Sequence, residues 1–325
     1  MAFHADLSRR ALLAGCAVLP WAGLARTAHA APERATGAAM FDAHIHFFTS
    51  DTGHYPVDLR NAREPEEVMR ARILRAPVTP AAMLPMWDRL GIGAGLGVQY
   101  SGAYKADNHY LLDVARANPT RLGTEIILHS TNPESPALLR RLAEAQHVSA
   151  IRLTGFVDDG GDLPWLKSAG ALEIWAVARE LKLPVGITYL RMVPTGAALN
   201  TVRTLSDSFP DCTILLEHLG WTGSSGTQDG LLPDHLALRD HRNIHFKWTT
   251  LNVDALSSAG IAPAAFLRAA VDMFGAERLM WGSDFGNTTR PYAGIVADAH
   301  DATRLLSAAE TKAVLGGSAR ALFRI

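Results

Sequence analysis

The chain has 325 residues, 48% of them hydrophobic, and a formal net charge of −1 from 31 basic and 32 acidic residues. That is enough apolar mass for one large core or two small domains. No basic block or aromatic–basic stripe interrupts the balance, so nucleic acid is not an expected partner.

The first thirty residues have the layout of an export signal. Ser8-Arg9-Arg10 opens an apolar stretch over 11–24 interrupted by Pro20, and Ala28-His29-Ala30 offers small residues for cleavage before Ala31. This resembles a twin-arginine signal. The run is too short and too interrupted to span a bilayer as a stable helix, so no membrane anchor is expected. Leu13-Ala14-Gly15-Cys16 resembles a lipoprotein cleavage box, but it leaves only about five apolar residues ahead of the Cys, short of the usual length of about 7–15. Release after Ala30 into the periplasm or medium is the preferred reading. The mature chain then keeps Cys212 alone and has no internal disulfide, even in an oxidising compartment.

Residues 31–39 read as a flexible tether, followed by Met40-Phe41-Asp42-Ala43-His44-Ile45-His46-Phe47-Phe48. Strand alternation predicts Asp42, His44 and His46 on one face and Phe41, Ala43, Ile45 and Phe47 on the other, apolar face. Two imidazoles side by side begin a metal site or a proton-transfer site. Residues 48–79 show no clean periodicity. A loop of that length in a compact domain is usually a lid or binding loop, and its His54 and Tyr55 are placed either to close over a ligand or simply at the surface. Thr79-Pro80 caps a helix that runs to Leu90 and stops at Gly91.

Regular alternation follows. Strands are predicted over 94–100, 122–128, 149–154, 184–189, 213–218, 243–250 and 278–283. Helices are predicted over 106–117, 134–146, 169–181, 197–209, 229–240, 263–274 and 292–306. A closing helix over 307–315 starts at a capping box of Ser307 and Glu310. Eight strand–helix units with no composition break predict an α/β fold, a single-domain (β/α)8 TIM barrel over 40–325.

In such a barrel the active site gathers at the C-terminal strand ends. Those ends carry His44 and His46, Arg152 and Thr154, Thr188 and Tyr189, Glu217 and His218, Lys247 and Thr249, and Ser283 and Asp284. Asp284 is placed to take a proton from water, to ligate a metal, or both. His44, His46 and His218 are placed to bind a metal or to polarise a carbonyl. Arg152 offers either a fork for a substrate carboxylate or a salt bridge to a strand-end acid. Tyr189 reads as a pocket wall, and Lys247 as an ion-pair partner.

These pieces resemble the amidohydrolase superfamily, in the branch that holds semialdehyde decarboxylases and sugar or pyrone-dicarboxylate lactonases. The resemblance rests on FDAHIH at 41–46, ILLEHLGW around His218, MWGSDFG around Asp284 and the closing LGGSARALF. VQYSGAYKADNHYLLD at 98–113 and AIRLTGF at 150–156 look most like the lactonase-type subgroup. The resemblance implies catalytic roles for Asp284, His218, His44 and His46, with Asp284 activating water, and a substrate pocket shaped by Arg152 and the region of Asp107 and Asn108. It implies a metal set of His44, His46 and Asp284. One departure bears on this. Metal-binding members carry His where LPVGIT here places Thr188, a poor zinc ligand. Both a single divalent ion, zinc first, and a metal-free site therefore stay open. The function implied is hydrolysis of a lactone or related cyclic ester of an anionic small molecule. The alternatives are a zinc-dependent decarboxylase or amide hydrolase on the same scaffold, or a non-catalytic periplasmic binding protein. A small-molecule substrate is the expected partner, with homo-oligomer formation left open.

Overall fold

The computed structural model describes residues 39–62, 64–190, 196–222, 230–231 and 233–325. The expected export signal, Cys16 and residues 31–38 of the tether lie outside the described residues.

Eight strands appear in sequence order: β1 (Met40–Ile45), β2 (Ile92–Val98), β3 (Leu122–Ile127), β4 (Ala150–Phe156), β5 (Val185–Leu190), β6 (Ile214–Leu216), β7 (Ile244–Thr249) and β8 (Leu279–Gly282). Each pairs in parallel with the next, from β1 through β8. The ring is nearly closed just beyond β8. There Ile45 bridges Phe285 in parallel, and the Asp284 and His46 amides donate to His44 O and Phe285 O at 2.7 and 2.9 Å. The result is an eight-stranded parallel barrel with alternating helices.

The helix Pro80–Leu90 is built as its sequence dictates. The Thr79 hydroxyl accepts from Ala82 N, Pro80 fills the first turn, and Gly91 ends it at φ 76°. The capping box of Ser307 and Glu310 also forms, but that helix ends at Lys312, and a wide turn at Ala313–Gly317 brings Gly316 against the Phe41 amide.

The structure differs from the expectation in several places. A helix, Glu66–Arg75, lies within the stretch expected to be loop. Only Met69 and Ile73 are buried there, so its apolar stripe is too thin to read. Acidic residues at its start and basic ones at its end suit the helix dipole instead. The helix expected at 106–117 starts later, at His109–Ala117, and a separate short helix, Ser101–Tyr104, precedes it. Of the helix expected over 229–240, only Pro233–Leu236 forms among the described residues. A further helix, Thr250–Ser258, follows β7 directly. Among the described residues no helix is long and apolar enough to cross a membrane.

A larger correction concerns β1. Asp42 pairs with Gly95 and Ile45 with Gly97, so three residues of β1 advance against two of β2. This bulge inserts one residue and reverses the alternation. Phe41 and Ala43 join Ala94, Leu96, Ala150 and Met280 in the small apolar cluster that fills the barrel floor. Above the bulge, His44 and His46 point into the barrel. Asp42 does not share their face. Its Oδ1 accepts from the Ser283 and His44 amides at 2.8 and 3.1 Å, and its Oδ2 accepts from Tyr292 at 2.9 Å. A buried carboxylate thus spans the β1–β8 seam. Burial raises its pKa to about 6, against the lowering effect of the Ser283 and His44 hydrogen bonds.

Candidate active site

A layer of buried charge lies above the apolar floor. Glu125 from β3, Arg152 from β4, Lys247 from β7 and Glu217 just past β6 are all buried. Arg152 donates from Nε and Nη2 to one oxygen, Glu217 Oε2, at 2.8 and 2.6 Å. Lys247 bonds Glu125 Oε2 and reaches Glu217 Oε1 at 3.3 Å. Burial opposes ionisation of Glu217, but Arg152 and Lys247 outweigh it and hold the carboxyl low, at about 2. Glu125 moves the other way, raised mainly by burial. The layer needs Gly186 on β5: a Cβ there would collide with Glu125 Oε1.

The expected histidines and carboxylate meet directly above this layer. His44 Nε2 and His46 Nε2 are 3.2 Å apart, and each lies 3.3 Å from Asp284 Oδ1. A hydrogen bond fixes the proton of His46, and the charge of a neighbouring carboxylate favours that of His44. His46 Nδ1 faces the Val98 carbonyl at 2.9 Å, which can only accept, so Nδ1 carries hydrogen. His44 Nδ1 faces the Glu217 carboxylate at 3.6 Å, again acceptor-only, and has no hydrogen-bond partner among the described residues. Both Nε2 atoms therefore turn lone pairs toward Asp284 Oδ1, which itself has no hydrogen-bond partner among the described residues. Three electron-rich atoms this close require positive charge between them, either a proton or a metal cation.

The residues fit a metal. A tetrahedral zinc ion with bonds of about 2.0–2.1 Å needs ligand atoms about 3.3 Å apart. The three edges here are 3.2, 3.3 and 3.3 Å. The donor set of two neutral imidazoles and one carboxylate suits the same ion, and three ligands leave one position open. Thr188 is buried opposite Thr154, so it adds no imidazole. His44, Glu217 and His218 also cluster closely enough to hold an ion. Glu217 is already engaged by Arg152 and Lys247, which makes that set the poorer one.

Burial, then Lys247, push the His44 pKa well below its ordinary value, and burial lowers His218 to about 4. Both are neutral at pH 7. Burial alone would raise Asp284. The adjoining His46 and His218 and a hydrogen bond from Asn287 Nδ2 to Oδ2 at 3.1 Å keep it below the usual carboxylate value instead.

His218 is held by unusual backbone. His218, Leu219, Gly220 and Trp221 have φ of 52°, 47°, 64° and 65°, four successive left-handed residues. For the three non-glycine residues this costs about 1–2 kcal/mol each. Asn252 Nδ2 holds the turn by donating to His218 O at 2.8 Å, and the Trp221 indole donates to Tyr189 O at 2.6 Å. The Trp221 ring stacks on His218 at 4.5 Å, while Thr249 Oγ1 sits 2.7 Å from His218 Nδ1. Asp284 is left-handed too, at φ 52°.

Other expected site residues are occupied elsewhere. Arg152 pairs with Glu217 through Nε and Nη2, as its salt-bridge reading expects. Tyr189 lies on the helix-facing side of β5, fully buried, with its hydroxyl on Gly220 O at 2.8 Å; alternation gives the interior face to Thr188. The Asn108 amide binds both the N–H and the C=O of Ile127, at 2.9 and 3.0 Å, and tethers β3. Tyr55 donates to Asp113 Oδ2 at 2.7 Å and packs edge-on to Tyr110, while His54 is exposed against Tyr55. Sequence reasoning missed the structural parts played by Glu217, Glu125, Thr249 and Asn252. For Glu125 a signal existed, a charge at the centre of an apolar strand.

A family model described as amidohydrolase matches residues 41–325. An L-fucono-1,5-lactonase of Burkholderia ambifaria is 25% identical over 248 residues, 75% of this chain and 79% of that protein. A structure from Pseudomonas putida, described as a 2-pyrone-4,6-dicarboxylic acid hydrolase, superposes with a TM-score of 0.66 at 22% identity, covering 88% of this chain and 98% of that one. A zinc-bound amidohydrolase structure from Burkholderia multivorans gives 0.65 at 19% identity, covering 89% and 100%.

Proposed function

The chain belongs to the amidohydrolase family, and from that premise we propose that this enzyme hydrolyses a lactone or related cyclic ester, with Asp284 as the base. The observation that carries this is the close triangle of His44 Nε2, His46 Nε2 and Asp284 Oδ1, with neutral His218 beside it. The resemblance to an L-fucono-1,5-lactonase supports the choice of a cyclic ester.

In this reading His44, His46 and Asp284 would hold one divalent ion, zinc by donor set. The ion would supply Lewis-acid polarisation and a lowered pKa for bound water. Asp284 accepts the proton of the attacking water, which its low pKa permits because the carboxylate is ionised at neutral pH. In the tautomer whose Nδ1 accepts from the Thr249 hydroxyl, His218 presents Nε2–H to the substrate carbonyl and stabilises the developing oxyanion. Asp284 then returns the proton to the departing ring oxygen as the C–O bond breaks, giving a hydroxy acid.

The test is a lactone panel assayed with the wild type and Asp284→Asn, alongside metal analysis of the purified chain. Equal turnover by the two proteins overturns the mechanism. Export rests on residues 1–30, and intact mass of the mature protein, beginning at Ala31, checks it.

A further inference from the structure

β4 and β5 pair without a bulge, residue for residue, from Ile151–Val185 to Phe156–Leu190. Alternation along them is therefore unbroken, and two contacts fix its sense. Arg152 reaches inward to Glu217, and a Cβ on Gly186 would collide with Glu125 inside the barrel. The interior face of β4 is thus Arg152, Thr154 and Phe156; that of β5 is Gly186, Thr188 and Leu190. Exposure rises along both toward the barrel mouth. Arg152 and Thr188 are 7% and 3% exposed, whereas Phe156 is 69% and Leu190 39% exposed.

Two registered apolar side chains thus stand exposed on the inner rim, on the face that leads down to the site. Phe156 lies four residues beyond Arg152, about 13 Å along the strand at about 3.3 Å per residue. The outer face of the same strand end is braced. The Trp165 indole lies where a Gly155 Cβ would be, 2.5 Å away, and donates to Phe156 O at 2.8 Å. Arg152, lower on this wall, is paired with Glu217.

We propose that Phe156 and Leu190 form an apolar subsite for a hydrocarbon substituent on the substrate. The favoured class is then an alkyl- or aryl-substituted lactone rather than a polyhydroxylated or dicarboxylic one. This rests on the lactone reading above.

The test uses the purified chain with unsubstituted γ-butyrolactone, γ-lactones bearing progressively longer unbranched alkyl groups, and an aldonolactone. kcat/KM rises with chain length, by up to about fourfold per methylene, the equivalent of about 0.8 kcal/mol. Phe156→Ser and Leu190→Ser flatten that slope, whereas Leu305→Ser, at an exposed apolar residue outside the strands, preserves it. Calorimetric binding of the matching hydroxyalkanoates reads the same slope without turnover. A chain-length slope in binding with no hydrolysis upholds the subsite and sinks the lactonase reading. No slope, a slope that survives both rim substitutions, or a preference for the aldonolactone overturns the subsite. So does a solution dimer that dissociates on Phe156→Ser, which would assign the rim to a second copy of the chain.

Discussion

Glu217→Gln separates the two tasks of the buried charge layer. In the wild type one Glu217 oxygen takes both Arg152 hydrogen bonds, and the other faces Lys247 at 3.3 Å and His44 Nδ1 at 3.6 Å. Removing its charge leaves two buried cations facing only Glu125, itself harder to ionise. Breaking a buried pair on one side costs about 3–5 kcal/mol, so the urea midpoint of the metal-stripped chain falls accordingly. The second task is the His44 tautomer. Without a carboxylate at Nδ1 the proton is free to move to Nε2 and withdraw the lone pair. Loss of such an orienting partner weakens metal binding by about 10–100-fold, read by competition with a chromogenic chelator. Arg152→Met combined with Glu217→Gln leaves Lys247 and Glu125 as a balanced pair. That double variant recovers most of the stability but not the zinc affinity. Stability of Glu217→Gln within about 1 kcal/mol of wild type, far short of the usual loss, would refute the reasoning about charge. Zinc affinity of the double variant within about twofold, below the usual effect, would refute the reasoning about the tautomer.

Gly186→Ala drives a methyl into Glu125 Oε1, and overpacking of this kind costs about 1–3 kcal/mol or more. It lowers the urea midpoint, and Glu125→Ser partly restores it. Thr249→Val removes the hydroxyl 2.7 Å from His218 Nδ1 with little change of shape. It costs about 1 kcal/mol of stability but about tenfold in kcat/KM through lost orientation of His218, so unchanged kinetics would remove Thr249 from the site. His245, on β7 two residues before Lys247, is lowered to about 4, first by burial and then by Arg278. Above its unfolded value of about 6.5 neither state is protonated and stability is full. As pH falls from about 6.5 toward 4, the unfolded chain binds the proton first and stability drops, by at most about 3 kcal/mol. His245→Gln flattens that part of the stability profile. An unchanged profile would show that the group titrates normally.

Much of the barrel could be read from alternation, because parallel strands buried on both sides between amphipathic helices leave a strong periodic signal. The helix Glu66–Arg75 could not, since just two of its residues are buried. His44, His46, His218 and Asp284 were legible because each sits at a predicted strand end. The facing of Asp42 was not. Alternation assumes one residue per step, and the bulge between Asp42 and Ile45 breaks that assumption through backbone pairing, which no side-chain pattern announces. The pairing of Arg152 was hidden for a related reason. Its partner, Glu217, lies 65 positions away in sequence, and only barrel closure brings the two together.

The left-handed run from His218 to Trp221 limits how this chain can vary. Each of its three non-glycine residues could be relieved of backbone strain by a change to glycine, an easy step for selection or for an engineer seeking a hardier protein. Yet His218 supplies the imidazole, Leu219 is fully buried in the core and Trp221 backs the imidazole with its ring. Every single-step relief therefore removes a group with another task. Libraries screened for thermal survival alone will tend to return glycine at these positions together with loss of turnover, whereas lineages under selection for activity must hold the reversed handedness and find stability elsewhere in the barrel.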